Sequence, residues 1–375
     1  MLPGRELPKK LRKGARPVRL LICAGGTGGG VYPALTVTEI LNHQGHTLLW
    51  VGSEGGMEKE LVERAGLPFQ AIPAAGVHGV SLKKLPGNLS QLWKGYHRSK
   101  QILKEFDPDV LLFTGGYVAI PMALAGKKRQ SLLYVPDIEP GLALRVLARY
   151  SDRIAITSEE SRKFFKHQEK LVVSGYPIRK ELKKWNKADG LAYFKFDPNI
   201  KTVLFMGGSS GARSINNAVV KIAGKLIERY QVIHLTGHLD WDSLRHQTDG
   251  LGPRYQAFPY LHEIGAALAA ADLVVSRSGA SVLGEYAHFG LPAILVPYPY
   301  AWQYQKVNAD YLVERGAAVL LEDEKLGKEL YSTVTTLLED PKRLAQMSQA
   351  MAALAQPAAA EKIAELLLEM ASNER

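Results

Sequence analysis

One local pattern occurs twice in this chain: an apolar run, a glycine-rich loop, then a helix-forming stretch. Residues 18–33 read VRLLICAGGTGGGVYP, and residues 201–213 read KTVLFMGGSSGAR ahead of SINNAVVKIAGKL. A strand that runs into glycines and then into a helix presents backbone N–H groups at a helix N-terminus, a natural seat for a phosphate. Read alone, the first loop fits a dinucleotide, a nucleotide sugar, or close packing of its own helix and strand. It contains no G-x-x-x-x-G-K-[ST], which disfavours P-loop phosphoryl transfer. Glu54, just past the second apolar run, would suit the ribose of a dinucleotide.

Each copy heads an alternating series. Apolar runs at 18–24, 46–52, 68–74, 109–116, 131–137, 153–158 and 170–175 are separated by helical stretches, among them about 32–44 and 89–106. After Lys201 the series restarts, with further runs at 230–237, 254–260, 272–279, 292–298 and 317–323. Near-continuous apolar strands alternating with helices predict parallel sheets covered on both faces. The 375 residues suit two such domains. The reading is an α/β chain of two Rossmann-like domains facing across a cleft. Its parts are a basic tail (1–16), an N-terminal domain (17–180), a polar Lys-rich linker (181–199), a C-terminal domain (200–355), and a final helix (356–375) that crosses back onto the first domain.

A formal charge of +10 favours anionic partners: phosphorylated substrates, an anionic membrane surface or nucleic acid. Nothing beyond that charge speaks for nucleic acid. The single cysteine, Cys23, excludes an internal disulfide framework and a multi-cysteine metal site. Its apolar surroundings predict a buried thiol rather than a nucleophile. The basic N-terminus lacks an apolar signal core, and no stretch is apolar enough to span a bilayer.

Two more segments sharpen the reading. Thr114-Gly115-Gly116-Tyr117 follows another apolar strand, so three glycine loops fall at strand ends, where open α/β sheets bind ligands. In Ser276-Arg277-Ser278-Gly279-Ala280-Ser281-Val282-Leu283-Gly284-Glu285, small polar residues open a helix that carries a carboxylate. Such a helix start suits a diphosphate, and Glu285 suits the ribose hydroxyls.

The phrases AGGTGG, GGYVAIP, SGYPIR, GGSSGAR, RSGASVLGE and QKVNA, in this order, resemble the MurG family over nearly the whole chain beyond the basic tail. The resemblance implies a GT-B fold. It implies inverting transfer of N-acetylglucosamine (GlcNAc) from UDP-GlcNAc to the C4 hydroxyl of N-acetylmuramic acid (MurNAc) in lipid I, giving lipid II of peptidoglycan, with no cofactor and no bound metal. Carried over by position, Thr27, Gly28 and Gly29 lie near the donor sugar and acceptor diphosphate, Arg179 on the donor, and Ser209 beside the UDP phosphates. Leu261 supplies a backbone contact to uracil. Ala280, Ser281, Val282, Leu283, Gly284 and Glu285 form the donor-binding helix start, with Gln305 also on the donor. Tyr117 and Asn216 line the cleft.

The chain departs from the family pattern at several positions. Gly30 stands where relatives often place histidine, and Tyr134-Val135-Pro136-Asp137 stands for HEQN. Tyr176 interrupts GNP, and Tyr304 replaces one glutamine of a QQ pair. The general base is therefore expected at Asp137, also a substrate-binding position, or at Glu139. Leu82, Leu85, Leu89, Leu92, Trp93 and Tyr96, interleaved with Lys83, Lys84 and Lys94, read as an interfacial patch for the anionic inner-membrane surface. That places the protein peripherally on the cytoplasmic face of the bacterial cell membrane. Other readings are a different GT-B UDP-sugar transferase with a lipid acceptor, a catalytically weak nucleotide-sugar-binding protein, and, less favoured, an NAD-dependent dehydrogenase.

Overall fold

The structure, a computed structural model, describes residues 16–26, 28–56, 58–76, 85–208, 211–299 and 304–372. It divides into two units: residues 1–136, 140–177 and 358–375 form the first, and 137–139 with 178–357 the second.

The first unit runs β1 (Arg19–Ala24), α1 (Gly28–His43), β2 (Thr47–Ser53), α2 (Glu58–Arg64), β3 (Phe69–Ile72), α3 (Leu85–Phe106), β4 (Val110–Gly115), α4 (Ala119–Ala125), β5 (Gln130–Val135), α5 (Leu142–Leu147), β6 (Arg153–Ile156) and β7 (Leu171–Val173). Its strands form one sheet in the order β3-β2-β1-β4-β5-β6-β7, and the pairings are parallel. The strand order reverses between β1 and β4. In such sheets the crevice at that reversal, beyond the strand C-termini, is where ligands bind. The loops after β1 and β4 are the GGTGGG and TGGY segments.

The second unit begins with α6 (Lys187–Phe194) and continues through β8 (Thr202–Met206), α7 (Arg213–Ile227), β9 (Gln231–Leu235), α8 (His238–Thr248), β10 (Tyr255–Phe258), α9 (Ile264–Ala270), β11 (Leu273–Ser276), α10 (Val282–Phe289), β12 (Ala293–Leu295), α11 (Tyr304–Glu314), β13 (Ala318–Leu320), α12 (Leu326–Glu339) and α13 (Pro341–Ala352). Its sheet order, β10-β9-β8-β11-β12-β13, repeats the same reversal between β8 and β11. The loops leaving those strands are GGSSGAR and RSGAS. Amphipathic spacing holds the layers together: α7 buries Ile215, Ala218, Val219, Ala223 and Leu226 against the sheet.

Three expectations change. The stretch 181–199 is not a linker but part of the second unit, where Leu182, Leu191 and Phe194 are buried. Helix α6 lies against α9 so closely that a Cβ on Gly190 would stand 2.6 Å from the Ala266 carbonyl oxygen. The helix is only eight residues long and buries Gly190, Leu191 and Phe194, too short a stripe to stand out between the polar residues on either side. Helix α1 starts at Gly28 rather than near Tyr32, because its first turn is made of the loop glycines themselves. Helix α3 likewise starts earlier, at Leu85. The final helix, α14 (Ala359–Ser372), belongs to the first unit, its Ile363, Ala364 and Leu367 joining the core beneath α1.

Candidate active site

In the first unit the two glycine loops touch. Gly116 has φ +81°, and a Cβ there would lie 2.6 Å from the Gly25 carbonyl oxygen, so neither chirality nor space admits a side chain. Gly28 and Gly29 open α1 and are half-buried, while Gly30 is buried. A Cβ on Gly30 would stand 2.9 Å from the Thr114 carbonyl oxygen, so α1 closes onto β4 where relatives often carry histidine. Thr27 and Ser209 lie outside the described residues. Tyr117 is half-buried, its ring packed over Gly76.

The altered HEQN segment separates into distinct roles. Tyr134 is buried in the sheet, its phenol 3.0 Å from Thr157 Oγ1 and 3.3 Å from the Gly175 carbonyl. Val135 is fully buried. Asp137, Ile138 and Glu139 group instead with the second unit. There Asn308 of α11, fully buried, donates to Asp137 Oδ1 at 2.8 Å and accepts from the Ile138 N–H at 3.0 Å. Burial pushes the Asp137 carboxyl up to about 6, and the Asn308 bond pulls it the other way.

The residues expected on the donor side lie in the second unit. Glu285, in the first turn of α10, is buried and meets Arg179 at 3.0 Å. The N–H groups of Val282, Leu283 and Gly284 bond back to the carbonyls of Gly279, Ala280 and Ser281. The turn thus begins at Gly279, and its leading N–H groups are those of Gly279, Ala280 and Ser281. Gln305 accepts from the Tyr298 N–H through its side chain and from Ser278 Oγ through its backbone. Leu261 is buried just beyond β10.

Asn216 has a different place from the expected one. It is wholly buried, donating to the Thr236 carbonyl and Asp240 Oδ2 and meeting His234 Nε2 at 3.0 Å. With both amide hydrogens used, Asn216 Oδ1 must accept, so His234 carries its proton on Nε2 and accepts from the Tyr255 hydroxyl at Nδ1. Burial lowers the His234 pKa to about 3, which keeps the ring neutral. This is interior wiring of the second unit, not a ligand wall. Cys23 is also structural: burial drives its thiol pKa up, and its Sγ lies 3.6 Å from the Val118 carbonyl.

The sequence matches the glycosyltransferase family 28 N-terminal domain over residues 20–156 and the glycosyltransferase family 28 C-terminal domain over 202–366. It is 39% identical over 371 residues to a UDP-N-acetylglucosamine–N-acetylmuramyl-(pentapeptide) pyrophosphoryl-undecaprenol N-acetylglucosamine transferase of Desulforudis audaxviator, covering 95% of this chain and 99% of that one. The Desulforamulus reducens protein of the same name is 36% identical, over 92% of this chain and 97% of its own. The chain belongs to the MurG family. The Acinetobacter baumannii MurG crystal structure has the same fold, with TM-score 0.74 at 24% identity over 94% of this chain and all of that one. This MurG-family chain is thus a glycosyltransferase with two Rossmann-like units of the GT-B type.

Arg179, Glu285 and Gln305, the positions expected to meet the donor, and the 279–281 turn lie in one unit. Asn308, within the phrase QKVNA, is the partner of Asp137. The signal was there, since it is an amide inside an otherwise matched phrase. Its partner, however, lies 171 positions away.

Proposed function

We propose that this enzyme moves GlcNAc from UDP-GlcNAc to the C4 hydroxyl of MurNAc in undecaprenyl-pyrophosphoryl-MurNAc-pentapeptide, converting lipid I to lipid II with inversion at the anomeric carbon. The observation that carries the reading is near-full-length relatedness, at 36–39% identity, to transferases named for these substrates. The same relatedness disfavours a different lipid-acceptor transferase.

The local chemistry supports it. The leading N–H groups of the α10 turn suit the donor diphosphate, and they stabilise the negative charge that builds on it as the sugar–phosphate bond breaks. Glu285, fixed by Arg179, accepts from the ribose hydroxyls. Asp137 takes the C4 hydroxyl proton while that oxygen attacks the anomeric carbon, and UDP departs with the bonding electron pair. A carboxyl raised to about 6 is mostly ionised at neutral pH, yet is a better proton acceptor than an ordinary aspartate. Glu139, half-buried two residues on, is the second candidate for that role.

A lipid-linked acceptor also requires a membrane surface. No helix among the described residues is long and apolar enough to cross a bilayer. On α3, Leu89 and Trp93 are 53% and 65% exposed, one turn apart, beside the exposed Lys94. Leu92 and Tyr96 turn inward and are half-buried. In this reading Leu89 and Trp93 enter the interface of an anionic inner membrane from its cytoplasmic face. Leu82, Lys83 and Lys84 of the expected patch, and the basic tail, lie outside the described residues, as does the Leu85 side chain.

The deciding experiment is transfer of labelled GlcNAc from UDP-GlcNAc to a lipid I analogue by the purified protein. Labelled disaccharide-lipid product is the expected result. UDP-GlcNAc binding with no transfer would leave a nucleotide-sugar-binding protein instead.

A further inference from the structure

Asn308 is fully buried, and its amide makes three bonds at once: to Asp137 Oδ1 at 2.8 Å, from the Ile138 N–H at 3.0 Å, and to the Ser278 carbonyl at 3.0 Å. Ser278 is itself buried, donates to the Gln305 carbonyl at 2.7 Å, and immediately precedes the turn whose N–H groups suit the donor diphosphate. One side chain therefore fixes the carboxylate and the strand-to-helix connection of the donor site in a single frame. An amide with both hydrogens and its oxygen engaged has no rotational freedom left to lose. Burying so well satisfied a polar group needs no further stabilising partner.

From this geometry we infer that Asn308 is the positioning residue of the transfer step, holding Asp137 in register with the donor turn and keeping it ionised. The inference rests on Asp137 acting as the base. The Asn308 N–H donates to the carboxylate form, so losing it leaves burial unopposed and shifts Asp137 toward its protonated form. The charged residues that flank Asn308 and Ser278 in sequence have partners of their own. On α11, Lys306 pairs with Asp310. Ahead of Ser278, Arg277 pairs with Asp323. On its own segment the neighbouring acid is Glu139. Burial and the Asn308 bond are the causes of the Asp137 shift.

The test compares kcat and KM against pH for Asn308→Asp, Asn308→Ala and Asp137→Asn. Asn308→Asp is isosteric and still accepts from the Ile138 N–H, but turns an acceptor toward Asp137. Its acid limb of kcat should move up by about one pH unit, with kcat at pH 7 about 10- to 100-fold lower; because the same change removes the donor to the Ser278 carbonyl, KM for UDP-GlcNAc should rise alongside. A raised KM with an unmoved limb would mean that Asn308 merely holds the Ser278 turn, and would overturn the inference. In the wild-type protein, the Asn308 side-chain amide NMR signals should titrate together with the acid limb of kcat. Their failure to do so overturns it without any variant. Full turnover in Asp137→Asn would instead remove the base assignment, a failure separable from an unmoved limb in Asn308→Asp beside an inactive Asp137→Asn.

Discussion

At the scale of single residues, two departures from the family pattern bear on the proposed reaction. Asp137 has its carboxyl raised to about 6 by burial, so the proton-accepting form is lost as pH falls through that value. With Asp137 as base, kcat should fall about tenfold per pH unit below about 6, a slope that steady-state rates at saturating substrate measure directly. The stability sign runs the other way. A carboxyl with a raised folded-state pKa favours the protonated fold, so its contribution is present below the unfolded value and lost as pH rises through about 6. Asp137→Asn, which keeps an oxygen for Asn308, should therefore melt no lower than wild type at pH 8 while losing turnover. Gly30 makes the second case. Restoring the family's histidine there forces a Cβ to within 2.9 Å of the Thr114 carbonyl, where backbone must give way. Gly30→His should cost about 1–3 kcal/mol of stability without raising kcat, as denaturant melts and turnover rates would record.

At the scale of elements, α10 and α3 are where the contacts with donor and membrane are proposed. Glu285 is buried at the start of α10, and its charge is matched by Arg179. Glu285→Gln keeps the shape and removes a charged acceptor, which should weaken UDP-GlcNAc binding by about 10- to 100-fold, read by calorimetric titration. On α3, Leu89→Asp with Trp93→Asp should abolish co-sedimentation with anionic vesicles and leave UDP-GlcNAc affinity unchanged; retained co-sedimentation would remove that face from the membrane reading. These elements also show what the sequence made legible. Uninterrupted apolar runs such as RLLICA and TVLFM announce buried parallel strands because both sheet faces are covered. The glycine loops mark the strand-order reversals because the backbones leaving the central strands approach each other closely there, as Gly116 does Gly25. Helix α6 was hidden, since a single buried stripe of Gly190, Leu191 and Phe194 over eight residues is too short to show a period. The Asp137–Asn308 pair was hidden for another reason: no local pattern encodes a contact between residues 171 positions apart. The interior place of Asn216 was illegible too, because a buried amide and a ligand-facing one look alike in sequence.

At the scale of the whole molecule, the chain returns to its first unit after completing its second, and this return has an energetic consequence. Helix α14 places Ala360, Ile363, Ala364, Leu367 and Met370 in the same core as Leu20, Ile22, Val31 and Leu41. The spacing from Ala360 through Ile363 and Ala364 to Leu367 is one continuous helical stripe, and it lies against α1, the helix that opens with the glycine loop. The last helix therefore belongs to the foundation of the first loop, although more than three hundred residues separate them in sequence. Leu367 is 1% exposed, so Leu367→Ala removes buried surface and leaves a cavity under α1, at a cost of about 2–5 kcal/mol. The second unit has its own core, built from α7, α12 and the strands between them, with no α14 residue in it. Leu367→Ala should accordingly lower the thermal stability of the first unit and reduce turnover through the glycine loop, while UDP affinity stays near wild type. Calorimetry with and without UDP separates the two effects: an equal loss of UDP affinity would mean that the units do not keep separate cores.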